Sequence, residues 1–314
     1  MIDRRFIPYE HAPLTKVLMH RPAAELPMVT EQTLSYFNFA GVPDVDRFLE
    51  EFDALVAAFH QMGTEVVLVN EVLKDDPEAL AYISKRANMT YTRDLSVMTP
   101  NGMLLLGMAI DGRKGDPAII GRVCAKLGIP VAGALEPQGL LEGGGITYFR
   151  GDTVIVGRCD RANDAGLSLT EQVMRESGLR EMITIPCYPG TIHIDGMLVF
   201  VDQDLALVDP KGLDAGPAQI KNLQSGEVRE QYILDYLNTH DVELIEIDES
   251  RDGWAAANFV MTAPRQIIGY EWAERVMNEV ERRGGKAIGV RGNELRKGNG
   301  GPHCMTCALE RAAI

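Results

Sequence analysis

The chain has 314 residues, 46% of them hydrophobic and 24% charged, the balance of an ordinary folded protein with enough apolar residues for a large core. Its formal net charge of −14 argues against nucleic acid and anionic membrane surfaces as partners and mildly favours a cationic ligand. No run reaches the roughly 18 apolar residues of a membrane helix. The N-terminus, Met1 to Pro8, lacks the apolar core of a signal peptide. Five scattered cysteines, Cys124, Cys159, Cys187, Cys304 and Cys307, fit reduced thiols in cytoplasm better than a disulfide framework.

In chain order, Lys16 to His20 reads as a strand. Asp44 to Met62 carries Val45, Phe48, Phe52, Leu55, Val56 and Phe59 at helical spacing, with Gly63 as the stop. Glu65 to Asn70 is then a buried strand. Met103 to Met108 reads as a strand, Pro117 to Leu127 as a helix, Thr153 to Val156 as a strand and Leu169 to Ser177 as a helix. Met197 to Val201 and Leu205 to Val208 form a hairpin around Asp202-Gln203-Asp204. Glu227 to Leu237 reads as helical and Glu243 to Ile247 as a strand. Phe259 to Thr262 and Gln266 to Gly269 make a strand pair, followed by a helix over Trp272 to Arg282 and a strand over Lys286 to Val290. Recurring β-β-α-β units predict an α/β fold with mixed sheets. No linker or charged run divides the chain, so one domain over residues 1–314 is expected, although the units are too dissimilar to be read as a repeat.

Polar knots stand where apolar runs meet loops, the place where a scaffold usually presents functional side chains. They are Thr92-Arg93-Asp94, Glu142-Gly143-Gly144-Gly145, His193-Ile194-Asp195 and the terminal Gly298-Asn299-Gly300-Gly301-Pro302-His303-Cys304. Taken singly, Asp94 reads as a turn cap, Glu142 as a loop residue, and His193 with Asp195 equally as a structural hydrogen bond or as catalytic groups. Cys304, at the tip of a glycine-rich loop, is expected to be exposed and held in place, which suits a nucleophile. Cys304 and Cys307 also make a Cys-x-x-Cys pair. With His303 and His193 that pair could form half a zinc site, but a structural site needs a second close ligand pair, which the sequence lacks. A redox pair would instead open a helix in a βαβ unit. The glycine runs fit neither a phosphate loop nor a dinucleotide fingerprint. What remains is a thiol, an imidazole and three carboxylates. Those carboxylates would repel the developing oxyanion of an amide substrate, but they suit a planar guanidinium, whose N–H pairs match carboxylates.

These residues in this order resemble the guanidino-group-modifying superfamily, which includes arginine deiminase, agmatine deiminase, dimethylarginine dimethylaminohydrolase and the amidinotransferases; the chain most resembles arginine deiminase. The resemblance runs through Val17-Leu18-Met19-His20-Arg21-Pro22, the helix from Phe48 to Phe59, and each polar knot up to Gly300-Gly301-Pro302-His303-Cys304-Met305-Thr306. It implies a five-bladed pseudo-symmetric α/β propeller of ββαβ units with the site on the central axis. It also implies hydrolysis of a C–N bond in a guanidino compound, without metal or organic cofactor, or alternatively amidino transfer to an amine. A third alternative is a non-catalytic binding protein on the same scaffold. By the same resemblance Cys304 is the nucleophile, His193 the general acid/base, Asp94 and Asp195 the holders of the guanidinium, and Glu142 the residue that orients substrate and histidine. Cys307 is a supporting or buried thiol. Two departures bear on the substrate. Gly145 stands where arginine deiminases usually have Asp, and Asn299 where they carry an arginine that helps hold the α-carboxylate. Arg161, and less strongly Arg113, are candidates for another carboxylate-binding arginine, with Arg296 and Lys297 also near. The substrate is expected to be a small guanidino compound, with no nucleic acid or membrane partner, and a homo-oligomer is compatible with the sequence.

Overall fold

A computed structural model describes residues 8–313, so the N-terminal reading over residues 1–7 lies outside the described residues. Strand β1 (Leu14–Met19) leads through the helix Val45–Gln61 to β2 (Glu65–Leu68), which pairs parallel to it with Val17 opposite Val66. Apolar residues at helical spacing dictate the buried face of that helix: Phe48, Phe52, Leu55 and Phe59 are inaccessible to solvent. Asp44 caps its start by accepting the N–H of Arg47, and Gly63, at a φ of +83°, lets the chain leave its end.

The same plan recurs. β3 (Ser96–Thr99) and β4 (Gly102–Leu105) form a hairpin, the helix Asp116–Leu127 crosses over, and β5 (Val131–Ala134) returns parallel to β4. β6 (Ile146–Phe149), β7 (Thr153–Arg158), the helix Asp164–Glu176 and β8 (Glu181–Pro186) repeat it. So do β9 (Leu198–Asp202), β10 (Leu205–Val208), the helix Ile233–Thr239 and β13 (Glu243–Glu246), with β11 (Ala218–Asn222) and β12 (Val228–Gln231) inserted before that helix. The inserted hairpin adds itself to β8, making that sheet five-stranded. β14 (Val260–Ala263), β15 (Gln266–Tyr270), the helix Glu274–Arg282 and β16 (Lys286–Val290) form the next unit. Finally β17 (Cys307–Arg311) pairs antiparallel with β1, Cys307 opposite Leu18, so the two ends of the chain complete one sheet. The fold is thus mixed α/β, with five sheets among the described residues.

Three sequence expectations differ from the fold. The segment Glu65 to Asn70, read as a buried strand, is a strand only to Leu68, is exposed at Glu65 and half-buried after it, and turns into a short helix at Val69. The segment read as helical from Glu227 is strand β12 until Gln231, and its helix begins only at Ile233. Val228-Arg229-Glu230-Gln231 has no apolar face to bury as a helix, and the turn at Asn222–Glu227 lets it pair with β11 instead. The helix expected from Leu169 starts five residues earlier, at Asp164, because Asn163 caps it by accepting the N–H of Gly166. No helix among the described residues is long and apolar enough to cross a membrane.

Candidate active site

The loops that enter one edge strand of each sheet deliver the polar residues of the site, the loop before β9 supplying His193 as well as Asp195. Asp94 precedes β3, Glu142 precedes β6, Asp195 precedes β9, Asn258 precedes β14 and Cys304 precedes β17. Four of these five were legible as polar knots. Asn258 was not, because a single amide between Ala257 and Phe259 has no chemical signature; its place just before a strand, matching the other four, is the signal that could have found it.

Local chemistry explains how these loops meet. Thr92 donates its hydroxyl to the carbonyls of Leu18 and Met305, the Arg93 N–H donates to the Cys304 carbonyl at 3.1 Å, and Tyr91 Oη donates to Leu295. The Tyr-Thr-Arg stretch therefore clamps the cysteine loop while presenting Asp94. Farther back, the Glu51 carboxylate accepts the N–H groups of Asn293, Glu294 and Leu295 at 3.1, 2.8 and 3.1 Å, fixing the start of that loop. Gly144 has to be glycine, since a Cβ there would stand 2.4 Å from His193 Nδ1. That close approach, with Gly144 O accepting from the N–H groups of Ile194 and Asp195, brings the Glu142 and His193 knots together.

His193 Nε2–H donates to Glu142 Oε2 at 2.9 Å, and its Nδ1 lies 3.8 Å from Asp94 Oδ1. Burial would push this imidazole down, but Asp94, Glu142 and Asp195 outweigh it and raise the group to about 9. Burial opposes ionisation of Glu142 as well; the bond from His193, with Arg113 and Arg161 beyond it, nonetheless lowers it to about 2. Its second oxygen accepts the N–H of Ala109 at 3.0 Å. Asp94 shares itself unequally. Oδ2 accepts from Arg113 Nη1 at 2.5 Å, while Oδ1 is buried with no hydrogen-bond partner. Asp195 Oδ2 accepts from His303 Nδ1 at 2.8 Å and lies 3.8 Å from Cys304 Sγ. Burial works against its charge, but His303, His193 and Arg93 hold it below the usual carboxylate range.

Cys304 is not exposed, contrary to the expectation from its loop: only 8% of it is accessible, and Asn258 Nδ2–H donates to its sulfur at 3.1 Å. The loop folds inward because Tyr91, Asn258 and Asp195 pack around it. Burial and the charges of Asp195 and Asp94 push its thiol well up. Cys307 belongs to β17 and sits 3.4 Å from Ser96 Oγ, where burial raises its thiol too. The structure thus does not bring Cys304, Cys307, His303 and His193 into one ligand set. Asp94, Glu142 and His193 do place ligating atoms within 4.8 Å of one another, a grouping that could hold a cation.

The remaining candidates divide. Arg161 lines the cavity with Nη1 3.8 Å from Glu142 Oε1. Arg113 is buried against Asp94 and the Tyr91 carbonyl. Asn299 also lines the cavity, but its Nδ2–H is given to the Asn38 carbonyl at 2.8 Å. Arg296 lies over the rings of Trp254 and Trp272 and does not line the cavity. The enclosed space is about 40 Å³, room for a water or two, so a larger ligand must displace part of the wall. A groove of about 680 Å³ between the helix Val45–Gln61 and β16 is far larger but contains neither thiol nor imidazole, so volume does not locate the chemistry here.

Fold and cavity together define a mixed α/β protein with a thiol, an imidazole and carboxylates converging from separate loops. The chain matches the arginine deiminase family over residues 72–311. It is 22% identical to an arginine deiminase of Rhodococcus opacus (strain B4), the alignment covering 95% of each protein. Among solved structures it is similar to DDAH from Pseudomonas aeruginosa in complex with citrulline (TM-score 0.71, 18% identity, 95% of this chain and 100% of that one). It is also similar to SxtG, an amidinotransferase from Microseira wollei (TM-score 0.71, 13% identity, 99% of this chain and 98% of that one). The chain belongs to the arginine deiminase family, within the guanidino-group-modifying superfamily.

Proposed function

We propose that the protein is a hydrolase that cleaves a C–N bond of a guanidino compound, arginine or a derivative, through a covalent intermediate on Cys304. The observation that carries this reading is the convergence of Cys304, His193, Glu142 and Asp94 on one buried cavity, with Asp195 3.8 Å from the sulfur. A guanidinium entering there meets the open Oδ1 of Asp94 and the carboxylate of Asp195. Its positive charge offsets the two carboxylates that keep the thiol protonated, so substrate binding itself promotes the thiolate. Sulfur then adds to the central guanidino carbon. His193, held as imidazolium by its carboxylate neighbours, passes a proton to the departing amine, and the C–N bond breaks to leave a thiouronium on Cys304. His193, now neutral, takes a proton from water as that water adds to the same carbon; loss of the thiol frees the ureido product.

The five sheets, each with an edge strand whose entering loop reaches the site, support the reading as five blades of one propeller domain over residues 1–314. Five free cysteines favour a reducing, cytoplasmic setting. Arg161 is the cation best placed to meet an acid group of the substrate, and Arg113 would first have to leave Asp94. The position of Asn299 holds no charge, so free L-arginine should be a poorer substrate than a guanidino compound with a differently placed acid group.

The test is a panel of L-arginine, methylated arginines, agmatine and other guanidino acids, assayed for ammonia or amine release and for ureido product without an added acceptor. Release under these conditions supports hydrolysis. Product that forms only with an added amine supports amidino transfer, the reaction named for SxtG. Binding with neither product nor adduct supports the non-catalytic reading. L-Arginine as best substrate by a wide margin, unchanged in Asn299→Arg, overturns the role given to Asn299.

A further inference from the structure

Four of the five loops that enter these edge strands carry groups already given work in the proposed reaction, and the fifth carries Asn258. This side chain is buried, at 6% exposure, and makes two bonds that together fix its orientation. Its Oδ1 accepts the backbone N–H of His303 at 3.0 Å; a backbone N–H can only donate, so the oxygen must face that side and the Nδ2 hydrogens must face the other. On that other side stands Cys304 Sγ, 3.1 Å from Nδ2. The fit is close: a Cβ at Gly301 would lie 2.3 Å from Asn258 Oδ1, so only glycine lets the cysteine loop settle on the amide. The groups facing the sulfur are the carboxylates of Asp94 and Asp195, the rings of Tyr91 and Tyr270, the backbone N–H of Gly301 and the amide of Asn258, with His193 and His303 behind the two carboxylates. Among the side chains of these described groups Asn258 makes the N–H hydrogen bond to the sulfur, beside the backbone N–H of Gly301.

We infer that Asn258 is a catalytic residue whose amide N–H donates to the Cys304 sulfur, stabilising it as a thiolate among carboxylates and aiming it at the guanidino carbon. The inference rests on the reading of Cys304 as nucleophile and adds to it a donor that no sequence motif marks. A neutral amide suits the place, because it stabilises negative charge on sulfur without competing with a cationic substrate for Asp94 and Asp195. A lysine or arginine there would do both.

The decisive variant is Asn258→Asp. It keeps an oxygen for the His303 N–H, and with it the loop anchor, while replacing the donor that faces sulfur by an acceptor. The primary readout is the pH dependence of Cys304 alkylation by iodoacetamide, which needs no turnover and so separates failure of this inference from failure of the proposed reaction. The midpoint should rise in Asn258→Asp and, by less, in Asn258→Ala. Turnover, where the panel provides a substrate, should fall about 10- to 100-fold in Asn258→Ala and further in Asn258→Asp, the range for losing a hydrogen bond to a charged group. KM should change less than kcat. Melting temperature and circular dichroism identify a misfolded variant, and Asn258→Ala then supplies the comparison. An unchanged alkylation midpoint in folded Asn258→Asp and Asn258→Ala overturns the inference. So does a kcat loss in Asn258→Ala that Asn258→Asp restores, because that pattern belongs to the His303 anchor alone.

Discussion

Asp195 separates two clusters of buried charge that differ in how fully their groups are paired. Below it, the single carboxylate of Glu10 faces three groups that can be cationic: Arg93 Nη2 at 3.4 Å, His303 Nε2 at 3.3 Å and Arg311 Nη2 at 3.5 Å. Burial opposes the charge of Glu10, but those neighbours hold it far below the usual carboxylate range. Above it, Asp94, Glu142 and Asp195 surround one thiol and one imidazole, with Arg113 on Asp94 and Arg161 beside Glu142, and Asp94 Oδ1 is left without a hydrogen bond. The lower cluster has cations to spare and is closed. Its excess keeps Asp195 ionised, through His303 and Arg93. In the upper cluster Arg113, Arg161 and the imidazolium of His193 offset the carboxylates, yet Asp94 Oδ1 stays an open acceptor, the condition of a site that waits for a cation's N–H. Both are buried, so burial alone does not mark function; the unpaired oxygen of Asp94 beside the thiol does.

The largest expected effect comes from the upper cluster. Cys304→Ala should abolish turnover and leave the fold intact, whereas Cys307→Ala, a strand thiol against Ser96, should keep most activity. Steady-state rates with melting curves decide this, and equal loss from both would merge the two thiols into one function and break the contrast between them. His193→Asn should slow the reaction by about two to four orders of magnitude.

His193 also predicts a pH window. Its pKa is raised in the fold from the ordinary 6.5 to about 9. The stability it contributes as imidazolium is therefore full below about pH 6.5 and is lost as pH climbs through about 9. Urea midpoints measured from pH 6 to 10 should fall through that window in the wild type and less in His193→Asn. Identical slopes would mean that the carboxylates do not hold the proton there.

Glu10→Gln probes the lower cluster. Taking away the one carboxylate leaves Arg93, His303 and Arg311 facing one another in the interior, which should cost about 3–5 kcal/mol of stability. Activity per folded molecule should fall less than in His193→Asn. A turnover defect as large as that of His193→Asn in a fully folded Glu10→Gln would show that the two clusters act as one.

The sequence made the upper cluster readable because its chemistry is concentrated in short knots. Asp94, Glu142, His193, Asp195 and Cys304 each stand beside glycines or turn residues at a strand entrance, and all five meet in the structure. The lower cluster was not readable. Glu10 and His303 meet across 293 residues, because β17 returns to pair with β1, and nothing near Glu10 announces the partner. Burial of Cys304 escaped notice for a related reason. A glycine loop looks exposed in sequence, and only the packing of Tyr91 and Asn258 closes it. The helix Val45–Gln61 was legible almost to its ends from apolar spacing and the stop at Gly63. Strand β12 was hidden because its partner β11 had no strand signal of its own.

The account turns on whether the cation the upper cluster waits for becomes bonded to Cys304. Wild type and His193→Asn, mixed with the substrate selected by the panel, quenched in acid and mapped by mass spectrometry, answer this directly. The expected result is a single adduct on Cys304, with the mass of the substrate less its departing amine, transient in the wild type and accumulating in His193→Asn. No adduct on Cys304 in either protein while turnover proceeds, or an adduct on a different cysteine, would contradict it.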